Sequence, residues 1–140
     1  MRLVVPDASV ILKWVLPSDG EPDAAAALSL RDAVAAGKLV LRVPPLWLYE
    51  VGNILTRNFP AQALMLLESL VAFGMPEGNS GEQWRTETVT LAREYRVTFY
   101  DAAYHALALV EHGTFVTADG RYFAKAKKAG AIAFLADFSA

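Results

Sequence analysis

"MRLVVPDASVILKW", residues 1–14, places a carboxylate directly behind a run suited to a protein interior. Leu3, Val4 and Val5 read as a buried parallel strand. Pro6 lacks a backbone donor, which suits a strand's last residue better than its middle. Asp7 follows at once, then Ala8-Ser9 and a second apolar stretch, Val10 to Val15. Asp7 has two readings. As an N-cap it would accept from amides two or three residues on and favour the positive end of the helix dipole. As a functional acid it would sit where open α/β sheets gather ligands, outside the carboxyl ends of the strands. Whether other acids arrive at the same end decides between them.

Working outward, strand 2–6 leads into a helix over 8–15, ended by the loop "LPSDGEP". Residues 22–36 are rich in helix formers, and Gly37 is a suitable stop. Residues 38–43, "KLVLRV", are the next strand. Pro44 and Pro45 fit a helix start, and apolar residues then recur at helical spacing from Leu46 to Asn58. Pro60 opens another helix through Phe73. The loop 74–82 hides a very short strand. A helix follows over 82–95, then an extended Val97-Thr98 and a helix over 100–111. "TFVTAD" at 114–119 is a strand that, like the first, ends in an aspartate. Residues 120–130 read as a helix closed by Gly130, and 131–135 as the last strand. Strands alternating with helices predict a mainly parallel sheet of four to five strands covered on both faces, a three-layer α/β/α sandwich. With no repeats and no linker, residues 1–140 read as a single domain.

A chain of 140 residues, 54% of them hydrophobic, can bury a core that needs no staple. The absence of cysteine excludes thiol catalysis and Cys-based zinc sites, and it suits a reducing cytoplasm. A net charge of −2 argues against a broadly basic nucleic-acid binder but leaves room for a local basic rim. Asp7 and Lys13 interrupt the apolar start, so no targeting segment is expected. No uninterrupted apolar run is long enough for a membrane span, and the expectation is a soluble protein.

Asp119 follows strand 114–117 as Asp7 follows strand 2–6. Glu50 lies on the first turns of the helix entered after strand 38–43, and Asp101 begins the helix at "FYDAAYHALALV". Four acids from four segments are thus expected at one edge. Two like charges about 4 Å apart cost on the order of 4 kcal/mol at an effective dielectric near 20. Such a cluster needs protonation or a shared cation. An all-oxygen donor set suits Mg²⁺ or Mn²⁺, and such an ion supports phosphodiester hydrolysis by activated water.

The segments "VVPDASVILKW", "PPLWLYEVGNIL", "YDAAYHALA" and "FVTADGRYFAKA" resemble, in order, the four motif regions of PIN domains, especially the VapC-type toxins of type II toxin–antitoxin pairs. The resemblance covers essentially the whole chain. It implies a parallel sheet between helices and a cytoplasmic, Mg²⁺- or Mn²⁺-dependent endoribonuclease. It also implies an RNA substrate and a small antitoxin partner. Asp7, Glu50, Asp101 and Asp119 would be the acidic quartet at once catalytic and metal-binding, with Ser9, Asn53 and Thr117 as supporting polar positions.

Each residue also has a plainer role. Asp7 and Asp101 could cap helices, and Asp119 could be the turn residue of an Asp-Gly pair. Glu50, beside Val51, Ile54 and Leu55, would be expensive unpaired, and Asn53 shares its helical face. Ser9 and Thr117 could satisfy turn amides or support an acid. His105 reads as surface or partly buried packing, since water activated by a metal needs no histidine. Trp14, Trp47, Tyr49 and Tyr104 read as core or interface. Lys13, Arg42, Arg57, Arg121 and Lys125 lie near the motifs and could grip phosphates. Helices 44–57 and 60–73 carry Leu46, Trp47, Tyr49, Leu64, Leu66 and Phe73, among others, more apolar surface than one sheet face needs; it suits an amphipathic partner segment or a homodimer. Competing classes are a haloacid-dehalogenase-like phosphatase, which wants an acid where Ser9 stands, and a receiver domain, which wants an acidic pair before its Asp. A third is a catalytically inactive PIN-like binding module.

Overall fold

Branched and aromatic residues at Val4, Val5, Phe115 and Val116 leave almost no surface to solvent, so two strands must be sandwiched from both sides. The computed structural model describes residues 2–139 and bears this out. Strands β1 (Arg2–Pro6), β2 (Leu39–Leu41), β3 (Thr114–Thr117) and β4 (Ile132–Phe134) form one sheet in the order β2-β1-β3-β4. Every pairing is parallel, with Val4 opposite Leu41, Pro6 opposite Val116 and Thr117 opposite Phe134. Helices flank this sheet, giving the expected α/β architecture with four strands.

The helices are α1 (Ala8–Lys13), α2 (Ala24–Ala35), α3 (Trp47–Asn58), α4 (Ala63–Phe73), α5 (Glu82–Tyr95), α6 (Phe99–Val110) and α7 (Gly120–Ala126). α6 packs along β1 and β3 and buries every residue from Ala102 to Ala108. Four alanines in that run let its backbone approach the sheet closely. α5 lies on its outer side, where the Trp84 indole donates to the Ala103 carbonyl at 2.9 Å.

Several boundaries differ from the sequence reading, each for a local reason. α1 stops at Lys13 rather than residue 15, because Pro17 disfavours helix at Leu16. Trp14 turns inward there, its indole donating to the Ala27 carbonyl at 2.9 Å. α2 starts two residues late because Asp23 takes a left-handed φ of 60°. Pro60 lies in a turn ahead of α4. α6 starts one residue early, with Thr98 as its cap. α7 gives way to a 3₁₀ turn over Lys127–Ala129 before Gly130 at φ 81°. β2 covers only part of 38–43, but Val43 makes an isolated parallel bridge with Glu77, the very short strand expected in loop 74–82. No helix among the described residues is long and apolar enough to cross a membrane.

Candidate active site at the carboxyl ends of the strands

β1 and β3 run side by side and finish together, so the residues just beyond the two strands meet across the gap. The Asp7 amide donates to the Val116 carbonyl at 3.1 Å, carrying the ladder one residue past β1. Asp7 thereby comes opposite Thr117. Its Oδ2 accepts a short hydrogen bond from the Thr117 hydroxyl, and its Oδ1 accepts one from Ser9 and one from the Val10 amide, the latter at 3.1 Å. Asp7 is therefore both the N-cap of α1 and the hub of a polar cluster. Ser9 and Thr117 each relay further: Ser9 Oγ accepts from the Ala118 amide at 3.4 Å, and Thr117 Oγ1 from the Asp119 amide at 3.0 Å. Thr117 is completely buried.

Burial pushes the Asp7 carboxyl up to about 6 from an ordinary 3.8, against the pull of its three hydrogen bonds, and the Asp101 charge adds to the rise. Glu50, on the first turn of α3, is also raised, first by burial and then by the Asp101 and Asp7 charges. The Tyr104 hydroxyl is near enough to lower it, yet the pair stops short of a hydrogen bond: Glu50 Oε1 and Tyr104 Oη are both buried without a partner. Tyr104 answers with a hydroxyl pushed well above its usual range, by burial and then by the Glu50 charge. Asp101, on the first turn of α6, is raised by partial desolvation, with Asp119 repulsion adding to it and the Thr98 hydroxyl opposing. Its surface remains exposed. Asp119 is exposed too, and its Oδ1 takes both the Arg121 and Tyr122 amides, at 3.0 and 3.1 Å, as the cap of α7.

The four acids thus lie on one side of the sheet, near enough that Asp7, Glu50, Asp101 and Asp119 are linked by mutual repulsion. Among the described residues, no three His, Asp or Glu side chains close into a ready-made set of metal ligands. The donor chemistry nonetheless fits a hard divalent ion. The set is all oxygen, one Glu50 oxygen is buried and unpartnered, and repulsion awaits a cation. Mg²⁺ keeps several of its waters and needs only one or two carboxylates directly.

Asn53 is exposed, and among the described residues no hydrogen bond joins it to Glu50. Asp101 does not cap α6. Thr98 does, its Oγ1 accepting from the Asp101 amide at 3.1 Å, and the Thr-x-x-Asp spacing is the signal for it. His105 is fully buried, a correction to the surface or half-buried placement expected. Its Nδ1 meets the Tyr122 hydroxyl at 2.8 Å, its Nε2 meets the Gly130 carbonyl at 2.7 Å, and its ring stacks on Phe115. Both ring nitrogens are occupied structurally, and burial lowers its pKa.

The cations separate sharply. Lys13 is paired with Glu21 at 2.6 Å, and Arg42 donates to the Leu41 carbonyl and stands 3.9 Å from Glu111. Arg57 ends α3. Arg121 and Lys125, by contrast, line a cleft of about 420 Å³ with Asp101 and Asp119, together with Arg96, which the sequence pattern does not single out.

The sequence matches the PIN domain family over residues 4–129. The chain belongs to the PIN domain family. PIN domains are generally nucleases that bind nucleic acid and typically use divalent metals. Among solved structures, the crystal structure of PAE2754 from Pyrobaculum aerophilum is similar to this PIN domain. Its TM-score is 0.66 at 22% identity, over 97% of this chain and 92% of the other. At that identity the likeness speaks for the fold alone. No curated protein matches the chain.

Proposed function

We propose that this PIN domain, residues 1–140 acting as one unit, is a Mg²⁺- or Mn²⁺-dependent endoribonuclease. It would be the VapC-type toxin of a type II toxin–antitoxin pair, acting in the cytoplasm. The observation that carries the reading is Asp7, a half-buried carboxylate bonded by Ser9, Thr117 and the Val10 amide and pushed up to about 6 by desolvation, with the Asp101 and Glu50 charges acting on the same cluster. A purely structural cap has no need of that company.

Asp7, Glu50, Asp101 and Asp119 would hold the ion, directly or through its waters. Bound there, the ion would neutralise phosphate charge and acidify the attacking water. Ser9 and Thr117 fix the Asp7 carboxylate in one orientation from opposite sides, so its geometry is set before substrate arrives. Both cap bonds of Asp119 fall on Oδ1, and neither uses Oδ2. His105, with both ring nitrogens hydrogen-bonded inside the fold, is unavailable as a base, so proton removal from the nucleophile falls to carboxylates or solvent.

The test is a cleavage assay on single-stranded RNA with end analysis of the products. Water attack on phosphorus predicts Mn²⁺- or Mg²⁺-dependent fragments with 5′-phosphate and 3′-hydroxyl ends. Full activity in excess EDTA, or a 2′,3′-cyclic phosphate product, refutes the reading. A phosphatase of the haloacid-dehalogenase type would instead release inorganic phosphate, and an inactive binding module would leave RNA intact. The antitoxin and homodimer find support in an apolar face where Tyr49, Leu64, Met65 and Val71 are half-exposed or more. Copurification with a neighbouring small protein, and growth arrest without it, are the expected outcomes of co-expression. Harmless expression of the wild-type chain alone, with nothing copurifying, defeats that part.

A further inference from the structure

We propose that Tyr104 is a positioning residue of the acidic cluster: its hydroxyl donates to the Glu50 carboxylate once a divalent cation is bound, as Ser9 and Thr117 donate to Asp7. This deepens the nuclease reading and rests on its cation. The acids are unequally served. Asp7 accepts from two hydroxyls and an amide, and Asp119 from two amides. Glu50 Oε1 is buried and accepts from nothing among the described residues. A buried polar atom without a partner is uncommon in a folded chain and asks for a reason. A second one stands close by. Tyr104 is 1% exposed, and its Oη is likewise buried and unpartnered among the described residues. After burial, the charges that raise the Tyr104 hydroxyl are those of Glu50, then Asp7 and Asp101, so the hydroxyl belongs to the Glu50 side of the cluster.

Packing makes Tyr104 a fixed post. It follows Asp101 by three residues on α6 and so shares its helical face. Its ring lies against Phe115 at 6.4 Å, and Phe115 is itself held by His105, stacked at 5.3 Å, and by Tyr122, edge-on at 5.5 Å. A donor on a locked ring orients its acceptor rather than following it. Tyr122, the other buried tyrosine that feels the Asp7 and Asp101 charges, has its hydroxyl committed to His105 Nδ1 at 2.8 Å. For packing on Phe115 a phenylalanine at position 104 would serve; the hydroxyl is what packing leaves unexplained. Glu50 is the partner that must settle. Without an ion it is repelled by Asp101 and Asp7, and a shared divalent cation turns that repulsion into attraction. A hydroxyl already in place then fixes the carboxylate, the service that a donor behind a metal ligand performs.

The experiment titrates Mn²⁺ into the full chain without RNA, by isothermal calorimetry, and melts each variant in EDTA. Tyr104→Phe should weaken Mn²⁺ binding about tenfold or more, the scale for losing a donor behind a ligand. Its metal-free melting temperature should not fall, since the hydroxyl bonds nothing before the ion is bound. Glu50→Asp keeps the charge but draws the carboxylate one methylene away from the hydroxyl. On that background Tyr104→Phe should add less than about twofold, because a residue acting through Glu50 has lost its acceptor. Unchanged Mn²⁺ affinity in Tyr104→Phe, a lower metal-free melting temperature, or an equal loss on the Glu50→Asp background overturns the assignment. A wild-type chain that binds Mn²⁺ no better than Tyr104→Phe loses the positioning role and keeps the nuclease reading. One that binds no Mn²⁺ at all loses the metal-dependent reading, and the positioning role with it. One that shows the expected losses and never cleaves RNA keeps the positioning role and loses the nuclease reading alone.

Discussion

Asp7 and Asp119 hold the same topological post, one after each of two adjacent parallel strands, and each caps the next helix. Their surroundings could hardly differ more. Asp119 is exposed and spends one oxygen on two amides. Asp7 is wrapped by two hydroxyls and an amide, faces two other acids, and has its carboxyl driven up to about 6. A cap needs only the first arrangement. The second is destabilising as long as the carboxylate is charged, and proteins retain such costs mainly where function uses them.

That contrast can be broken by exchange of single atoms. Asp7→Asn should lower single-turnover RNA cleavage by more than about 100-fold, the scale for losing one preorganised electrostatic group. The same variant should melt at a higher temperature in EDTA. Asp119→Asn should lose about tenfold or less and melt unchanged, since Asn caps as well as Asp. Equal losses at both positions would erase the distinction. Next in size, Thr117→Val removes a hydroxyl donor from Asp7 and should cut cleavage about 10- to 100-fold with the fold intact by circular dichroism.

The pH dependence sharpens the comparison further. A carboxyl whose folded pKa lies above its unfolded value binds its proton more tightly when folded. Its contribution to stability is therefore fully present below the unfolded value and lost as pH rises through the folded one. For Asp7 the window runs from 3.8 to about 6, and the upward shifts of Glu50 and Asp101 act in the same direction. Thermal melts without metal should thus fall across that window as pH increases, and less steeply in Asp7→Asn. Added Mn²⁺ at neutral pH should recover the lost stability in the wild type, and EDTA should reverse it. The smallest effect belongs to Tyr104→Phe. It deletes a buried hydroxyl that has no partner and should leave the chain equally stable or more stable by about 1 kcal/mol in a denaturant titration.

The fold is readable in the sequence because its signals are local. Apolar runs at Val4-Val5 and Phe115-Val116, each closed by an acid, define a parallel sheet and the edge at which its ligands belong. Helix ends are less legible where one residue's backbone decides them, as at Asp23 with its positive φ. The burial of His105 escapes sequence patterns because its two partners, Tyr122 and Gly130, lie 17 and 25 residues away and carry no periodic trace. The Tyr104–Glu50 approach joins different helices and is invisible for the same reason. Spacing places the acids on one edge; which of them is desolvated depends on packing.

The hydrogen bond from Thr117 to Asp7 spans 110 residues, and the strand that carries Asp7 stands between one made early and one made late. A chain emerging from the ribosome therefore has its first acid long before it has the strand that orients it. Contacts this distant form slowly and only once most of the polypeptide is available. Nascent and prematurely terminated chains would accordingly lack an oriented Asp7, and the acid cluster is complete only when synthesis is almost finished.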